Sequence, residues 1–110
     1  MLEIYPVILS FVEEVAPYIG RIARHDPDLA RQLRRASTSV VLNVAEGMYA
    51  RGRSRMHCYN LGLREMRESF AALEVSVRLR YIAPLSPELE GRISRIIGTL
   101  VRLSFPKQAG

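Results

Sequence analysis

The run Tyr59-Asn60-Leu61-Gly62-Leu63-Arg64-Glu65-Met66-Arg67-Glu68-Ser69-Phe70-Ala71-Ala72-Leu73 places apolar residues at Tyr59, Leu63, Met66, Phe70 and Leu73, and Met56 and Val77 extend the pattern at either end. The intervals alternate between three and four without a break. That is the period of an α-helix packed at a small angle against a neighbour, and it is too long for a strand. No segment shows sustained alternation with a period of two between turn signals, so the sequence offers no support for a sheet. The fold is therefore predicted to be all-α.

Punctuation on both sides of this run counts the helices. Arg51-Gly52-Arg53-Ser54 reads as a short connection before it, with Ser54 as a cap, and Pro84 reads as its end. Ser86-Pro87-Glu88 then supplies a cap, a proline for the first helical position and a carboxylate for the first turn, opening a helix striped by Leu89, Ile93, Ile96, Leu100 and Leu103 and stopped by Pro106. Asp26-Pro27-Asp28 repeats the same logic for a helix running to about Tyr49. Before it, Ile4, Ile8, Phe11, Val15, Ile19 and Ile22 predict a first helix from about Pro6 to Arg24, with a kink or break expected at Pro17. Four amphipathic helices with short links favour antiparallel neighbours. The prediction is an up-down-up-down four-helix bundle, one domain over residues 1–110.

The second helix has more apolar surface than one core requires. Leu29, Leu33, Ala36, Val40 and Val44 fall on one face, but Val41, Leu42 and Ala45 point elsewhere, so its C-terminal half is apolar nearly all round. Such a surface is seldom left facing water, and these three residues are assigned to a subunit interface, with the first helix expected to contribute.

The motif Gln32-Leu33-Arg34-Arg35-Ala36, then Ser39-Val40, then Asn43-Val44-Ala45-Glu46-Gly47 closely resembles the bacterial four-helix-bundle proteins encoded within intervening sequences of 23S ribosomal RNA genes. The accessory variability determinant of diversity-generating retroelements looks like a branch of that family. The likeness continues more loosely through Ser69-Phe70-Ala71-Ala72-Leu73-Glu74 to Tyr81-Ile82, with departures at Ala72, where the family usually carries an acid, and at Arg80, where glycine is common. The spacing from Leu73 to Tyr81 is also about one helical turn short. The resemblance implies a homo-oligomer, a ring of five, without a known catalytic activity. For the retroelement branch it implies binding to a reverse transcriptase and to template nucleic acid.

Composition points in a compatible direction. Sixteen Lys and Arg against eleven Asp and Glu give a net charge of +5, and all but one of the basic residues are arginine, the side chain best suited to bidentate phosphate or carboxylate contacts. A GC-rich genome would produce the same bias. A ring of five would carry about +25, ample for an acidic polymer held through counterion release. The candidate contacts to nucleic acid or a partner are Arg31, Arg34 and Arg35 at the start of the second helix, Arg51, Arg53 and Arg55 around the next link, and Arg64 and Arg67 on the third helix. The link cluster ranks first, because no acid lies between Tyr49 and Arg64 to balance it. A merely solvated surface is the competing reading, with Asp28 and Arg31, Glu74 and Arg78, and Glu88 and Arg92 as intrahelical pairs. No recognition-helix, zinc-finger or RNA-recognition signature is present, so phosphate contacts without base readout are expected.

Other candidate chemistry is thin. Asn43 and Glu46 are assigned a structural role, with Asn43 expected to fix helix register, and Gly47 is read as a site of close helix approach or as the beginning of the helix end. His25, His57 and Cys58 make no metal-ligand spacing, and no Glu-x-x-His is present, so no metal or cofactor is expected. His25 reads as a helix-end residue balancing Asp26, and His57 as a first-turn residue of the third helix. A ribonuclease-like pairing of the two histidines is the remaining enzymatic reading. Ser37, Thr38 and Ser39 lack a nucleophile elbow, and there is no glycine-rich phosphate loop. The single cysteine, the lack of a secretory signal and the lack of a membrane-length apolar run predict a cytoplasmic protein with no membrane contact. The expected function is a non-enzymatic, basic oligomeric scaffold that binds RNA or DNA, a nucleic-acid-processing enzyme, or both. The alternative is a structural homo-oligomer with no nucleic-acid role.

Overall fold

The computed structural model describes residues 2–106, which form α1 (Ile4–Ala23), α2 (Pro27–Tyr49), α3 (Gly52–Arg78) and α4 (Pro87–Ser104), with no strand among the described residues. The helices pack as a square: α1 lies against α2 and α4, and α3 lies against α2 and α4. The α2–α3 register is antiparallel, since Val44 lies beside Gly62, Gly47 beside Tyr59, and Arg35 reaches Glu68. The long dimension of 43 Å is that of α3, about 40 Å for its 27 residues. The fold is the four-helix bundle the sequence predicts.

Ile4, Ile8, Phe11, Val15, Ile19 and Ile22 are all buried, and α1 runs unbroken through Pro17. The expected break does not occur. Pro17 and Glu13 both lie on the solvent side, so water can satisfy the carbonyl that the proline leaves without a donor. Pro6 sits in the first turn, where its missing N–H has no helical partner in any case. The starts of α2 and α4 follow expectation: Asp26 Oδ1 accepts from the Leu29 N–H at 3.0 Å, and Ser86 Oγ accepts from the Leu89 N–H at 3.1 Å.

The beginning of α3 differs. The link is only Ala50 and Arg51, and Ser54 lies inside the first turn without capping it. Gly52, at φ +57, makes the reversal in a left-handed conformation that costs a residue without Cβ little. His57 consequently falls in the second turn, one turn later than expected.

α3 also buries a wider arc than the expected stripe. Tyr59, Leu63, Met66 and Leu73 are buried, while Met56, Phe70 and Val77 are only half-buried. A second line of small residues, Gly62, Ser69, Ala72 and Ser76, is also buried. The reason is that α3 packs on two helices at once. The hydroxyls of Ser69 and Ser76 donate to the carbonyls of Glu65 and Ala72 at 2.9 and 2.8 Å, which satisfies them within the helix and lets the backbones approach.

α3 stops at Arg78, well before Pro84. The Tyr81 N–H donates to the Ser76 carbonyl at 2.8 Å and the Arg80 N–H to the Val77 carbonyl at 3.0 Å, the paired bonds of a Schellman motif. Arg80 occupies its left-handed position at φ +64. Relief of the Cβ strain predicts that Arg80→Gly raises stability by about 1 kcal/mol and the melting temperature by a few degrees. Thermal unfolding followed by circular dichroism checks this, and a lowered melting temperature would contradict the strain.

Candidate functional site

At about 100° per residue, Arg31, Arg34, Arg35, Thr38, Leu42, Ala45 and Tyr49 project from the side of α2 opposite Leu33, Val40, Val44 and Gly47. The basic start and the apolar end of α2 thus share one outward face. Leu42 is 63% exposed, and Ala45 is half-buried. Val41 departs from expectation, because it is half-buried and packs against the core through the α1 side of α2. Tyr49, at 89% exposure, belongs to this face although the sequence reading passed over it. Its signal was available: it follows Leu42 by two helical turns. Tyr5 of α1 lines a shallow groove with Ala45, Met48 and Tyr49, and Leu9, one turn along α1, is also exposed. Uncharged surface therefore runs from α2 onto α1.

The arginines divide into those engaged within the chain and those facing water. Arg31 pairs with Asp28 at 2.7 Å, as expected, and Arg35 reaches across to Glu68 at 3.4 Å. Arg92 does not take the expected partner Glu88, but bridges to Glu14 of α1. That pair is about two-thirds shielded on both sides, so water screens it less than an exposed intrahelical pair. Glu74 and Arg78 are both exposed and do not pair, since such a contact gains little in water. Arg55 Nε donates to the Ala50 carbonyl at 2.9 Å, which ties the α2–α3 link to α3. It holds the link in place, a role that the expectation of a free three-arginine cluster missed.

The remaining arginines form an array that depends on where α3 begins. Arg53, His57, Asn60, Arg64 and Arg67 recur at steps of four, three, four and three residues, and Arg78 follows on the same side, away from Leu63 and Leu73. Arg53, Arg64, Arg67 and Arg78 are exposed and make no ion pair among the described residues. From Arg53 to Arg78 the array is about 37 Å long. Arg51, in extended conformation at the N-cap, adjoins its start, and Arg34 on α2 is likewise exposed and without an ion pair.

The motif residues of α2 turn inward or sideways. Asn43 Nδ2 donates to the Ser39 carbonyl at 2.9 Å and to Ser39 Oγ at 3.5 Å, so its hydrogen bonds stay inside α2 and do not set the register against α3. Glu46 is exposed and makes no hydrogen bond among the described residues. Gly47 is buried where α2 meets α3: a Cβ there would lie 2.5 and 2.8 Å from Tyr59 ring carbons and 3.2 Å from Cys58 Cβ. Close approach is its role. Burial pushes the Tyr59 phenol above its ordinary pKa, against the opposing pull of Arg55.

The two histidines are not brought together. His25 lies in the α1–α2 link with its ring stacked on Tyr81 at 5.0 Å, and it makes no ion pair with Asp26. His57 is near the other end of the bundle, about 30 Å away along α3. Cys58 is buried, and no cluster of three metal-ligating side chains exists among the described residues. No helix of the described residues is long and apolar enough to cross a membrane.

The architecture defines a small antiparallel four-helix bundle with a line of exposed arginines on α3 and an outward face of α2 that is basic at its start and apolar at its end. Among solved structures it is similar to a Bacteroides thetaiotaomicron protein of unknown function from the S23 ribosomal protein family, with a TM-score of 0.78 and 20% sequence identity over 92% of this chain and 97% of that one. At that identity the likeness establishes a shared fold. No protein-family model and no curated protein matches the sequence.

The Gly47 contact has a measurable consequence. Gly47→Ala is expected to lower stability by about 1–3 kcal/mol through overpacking against Tyr59. Gly20→Ala, in α1 where a Cβ meets nothing, is expected to gain up to about 1 kcal/mol. Denaturant unfolding of the two variants beside the parent separates these effects, and an unaffected Gly47→Ala would mean that α2 and α3 can part there freely.

Proposed function

We propose that this protein is a non-enzymatic, basic oligomeric scaffold. Its phosphate-contacting surface is the outward face of α3 with Arg51 at its start, and its self-association surface is the outward face of α2 continued onto α1. The observation that carries this reading is the line of unpaired arginines on the N-terminal part of α3, which lies apart from the apolar end of α2. Arg53, Arg64 and Arg67 face water without carboxylate partners along the N-terminal part of α3, and of the large exposed apolar side chains Leu42, Tyr49 and Leu9 lie on α2 and α1, Val75 and Leu79 at the far end of α3 beside Arg78, and Phe105 just after α4. A polymer could therefore occupy one face while copies of the chain occupy the other. A line in which guanidinium groups predominate, with only His57 and Asn60 between them, favours binding through phosphates, for RNA or DNA alike.

The finer reading is a member of the 23S intervening-sequence protein group, assembled as a pentamer and, in a retroelement setting, an accessory to a reverse transcriptase. It rests on the α2 motif, and the shared fold with the S23-family protein supports it loosely. The engagement of Arg31, Arg35, Arg55 and Arg92 within the chain favours the second reading, a structural homo-oligomer whose charge is in part spent on its own fold.

Titration with labelled structured RNA and duplex DNA across a salt series distinguishes the two. The scaffold reading expects log affinity to fall linearly with log salt, and expects Arg53→Gln/Arg64→Gln/Arg67→Gln to lower that slope by about 3 with the helical content unchanged. Absence of binding at low salt would leave the structural homo-oligomer as the function. For the apolar face, Leu42→Glu is expected to yield monomers in sedimentation velocity while changing the stability of the single chain by no more than about 0.5 kcal/mol. An assembly that survives this substitution would remove α2 as the interface.

A further inference from the structure

At the seam of α3 and α4, a cleft of ≈ 200 Å³ opens between the last turns of α3 and the first turn of α4. Phe70, Val77, Pro84 and Leu85 line it together with Arg78, Glu74 and Glu90. Phe70 and Val77 are half-buried, and both glutamates are exposed. Neither carboxylate is within ion-pair distance of a described cation, although Arg78 lies beside them. The two carboxylates outnumber the single guanidinium of Arg78, so the cleft is net acidic over its apolar floor. They fit a side chain with an apolar stem and a cationic head, which is the shape of arginine.

The same chain carries the complement of this cleft. On the outward face of α2, Arg31 is held by Asp28 and Arg35 by Glu68, while Arg34 extends into water with no ion pair among the described residues. About 12 Å further along the face, Leu42 supplies exposed apolar surface. We propose that the Glu74–Glu90 cleft receives Arg34 of a second copy of this chain. The proposal rests on the reading of α2 as the self-association face and adds the surface that it meets. The cleft shares Arg78 with the far end of the α3 array, but its two glutamates repel phosphate. The two mating surfaces are also different parts of the molecule, because α2 and α4 occupy opposite corners of the square. The contact is therefore head-to-tail, and it leaves a free donor and a free acceptor on every pair until a ring closes.

Charge exchange tests this. In sedimentation velocity, Glu74→Arg/Glu90→Arg and Arg34→Glu should each weaken assembly by about tenfold or more, and the chain carrying all three substitutions should recover most of the loss. Glu74→Gln/Glu90→Gln gives a milder loss in the same direction, and circular dichroism verifies that each variant retains its helices. A cleft variant that assembles like the parent overturns the proposal and leaves α2 as an interface with another mate. A triple variant no better than its parents also overturns it. A monomeric parent chain, or assembly that persists in Leu42→Glu, overturns the self-association reading itself and the cleft with it.

Discussion

The close approach of α2 and α3 is the contact on which the rest of the molecule depends. Gly47 lies against the Tyr59 ring and Gly62 against Val44, positions where any side chain would force the helices apart or demand that the neighbour give way. Small residues continue the contact along α3 through Ser69, Ala72 and Ser76, with the serine hydroxyls satisfied by their own helix. This pair then presents the groove into which the large side chains of α1 and α4 pack. Phe11, Ile22, Leu89 and Ile96 are fully buried as a result.

The same contact determines what reaches the surface. Once α2 turns Val40, Val44 and Gly47 inward, the opposite side necessarily carries Arg34, Leu42 and Tyr49. Once α3 turns Leu63 and Leu73 inward, Arg53, Arg64 and Arg67 face water together. Partial shielding then sorts the charges. Arginines near a carboxylate on a neighbouring helix, such as Arg92 with Glu14, become part of the fold, and those on the outermost line of α3 remain available.

The ends of the bundle are closed by different devices. At one end Gly52 reverses the chain directly after a two-residue link that Arg55 holds. At the other, a Schellman motif ends α3, and Tyr81 then stacks on His25 across the α1–α2 link. An arginine in the left-handed position shows that the hydrogen bonds of this motif and the burial of Ile82 outweigh the local strain. The histidine, chemically suggestive in isolation, is used as a flat surface.

The sequence by itself determined that there are four helices, that two of them are capped by Asp26 and Ser86, and which large apolar side chains of α1, α2 and α4 face the core, because periodicity and capping are local properties of the chain. Local rules were less successful where the end of an element is decided by neighbours. Pro84 suggested a later end to α3 than the Schellman bonds impose, and Ser54 offered a cap that Gly52 made unnecessary. Of the candidate surface, the residue types were legible, but their grouping was not. Whether Arg35 meets Glu68, whether Arg92 meets Glu14, and whether Tyr49 joins Leu42 in facing water depend on how helices distant in sequence lie side by side. Only the tertiary structure decided those, since Coulomb attraction and burial act across space and leave no periodic trace along the chain.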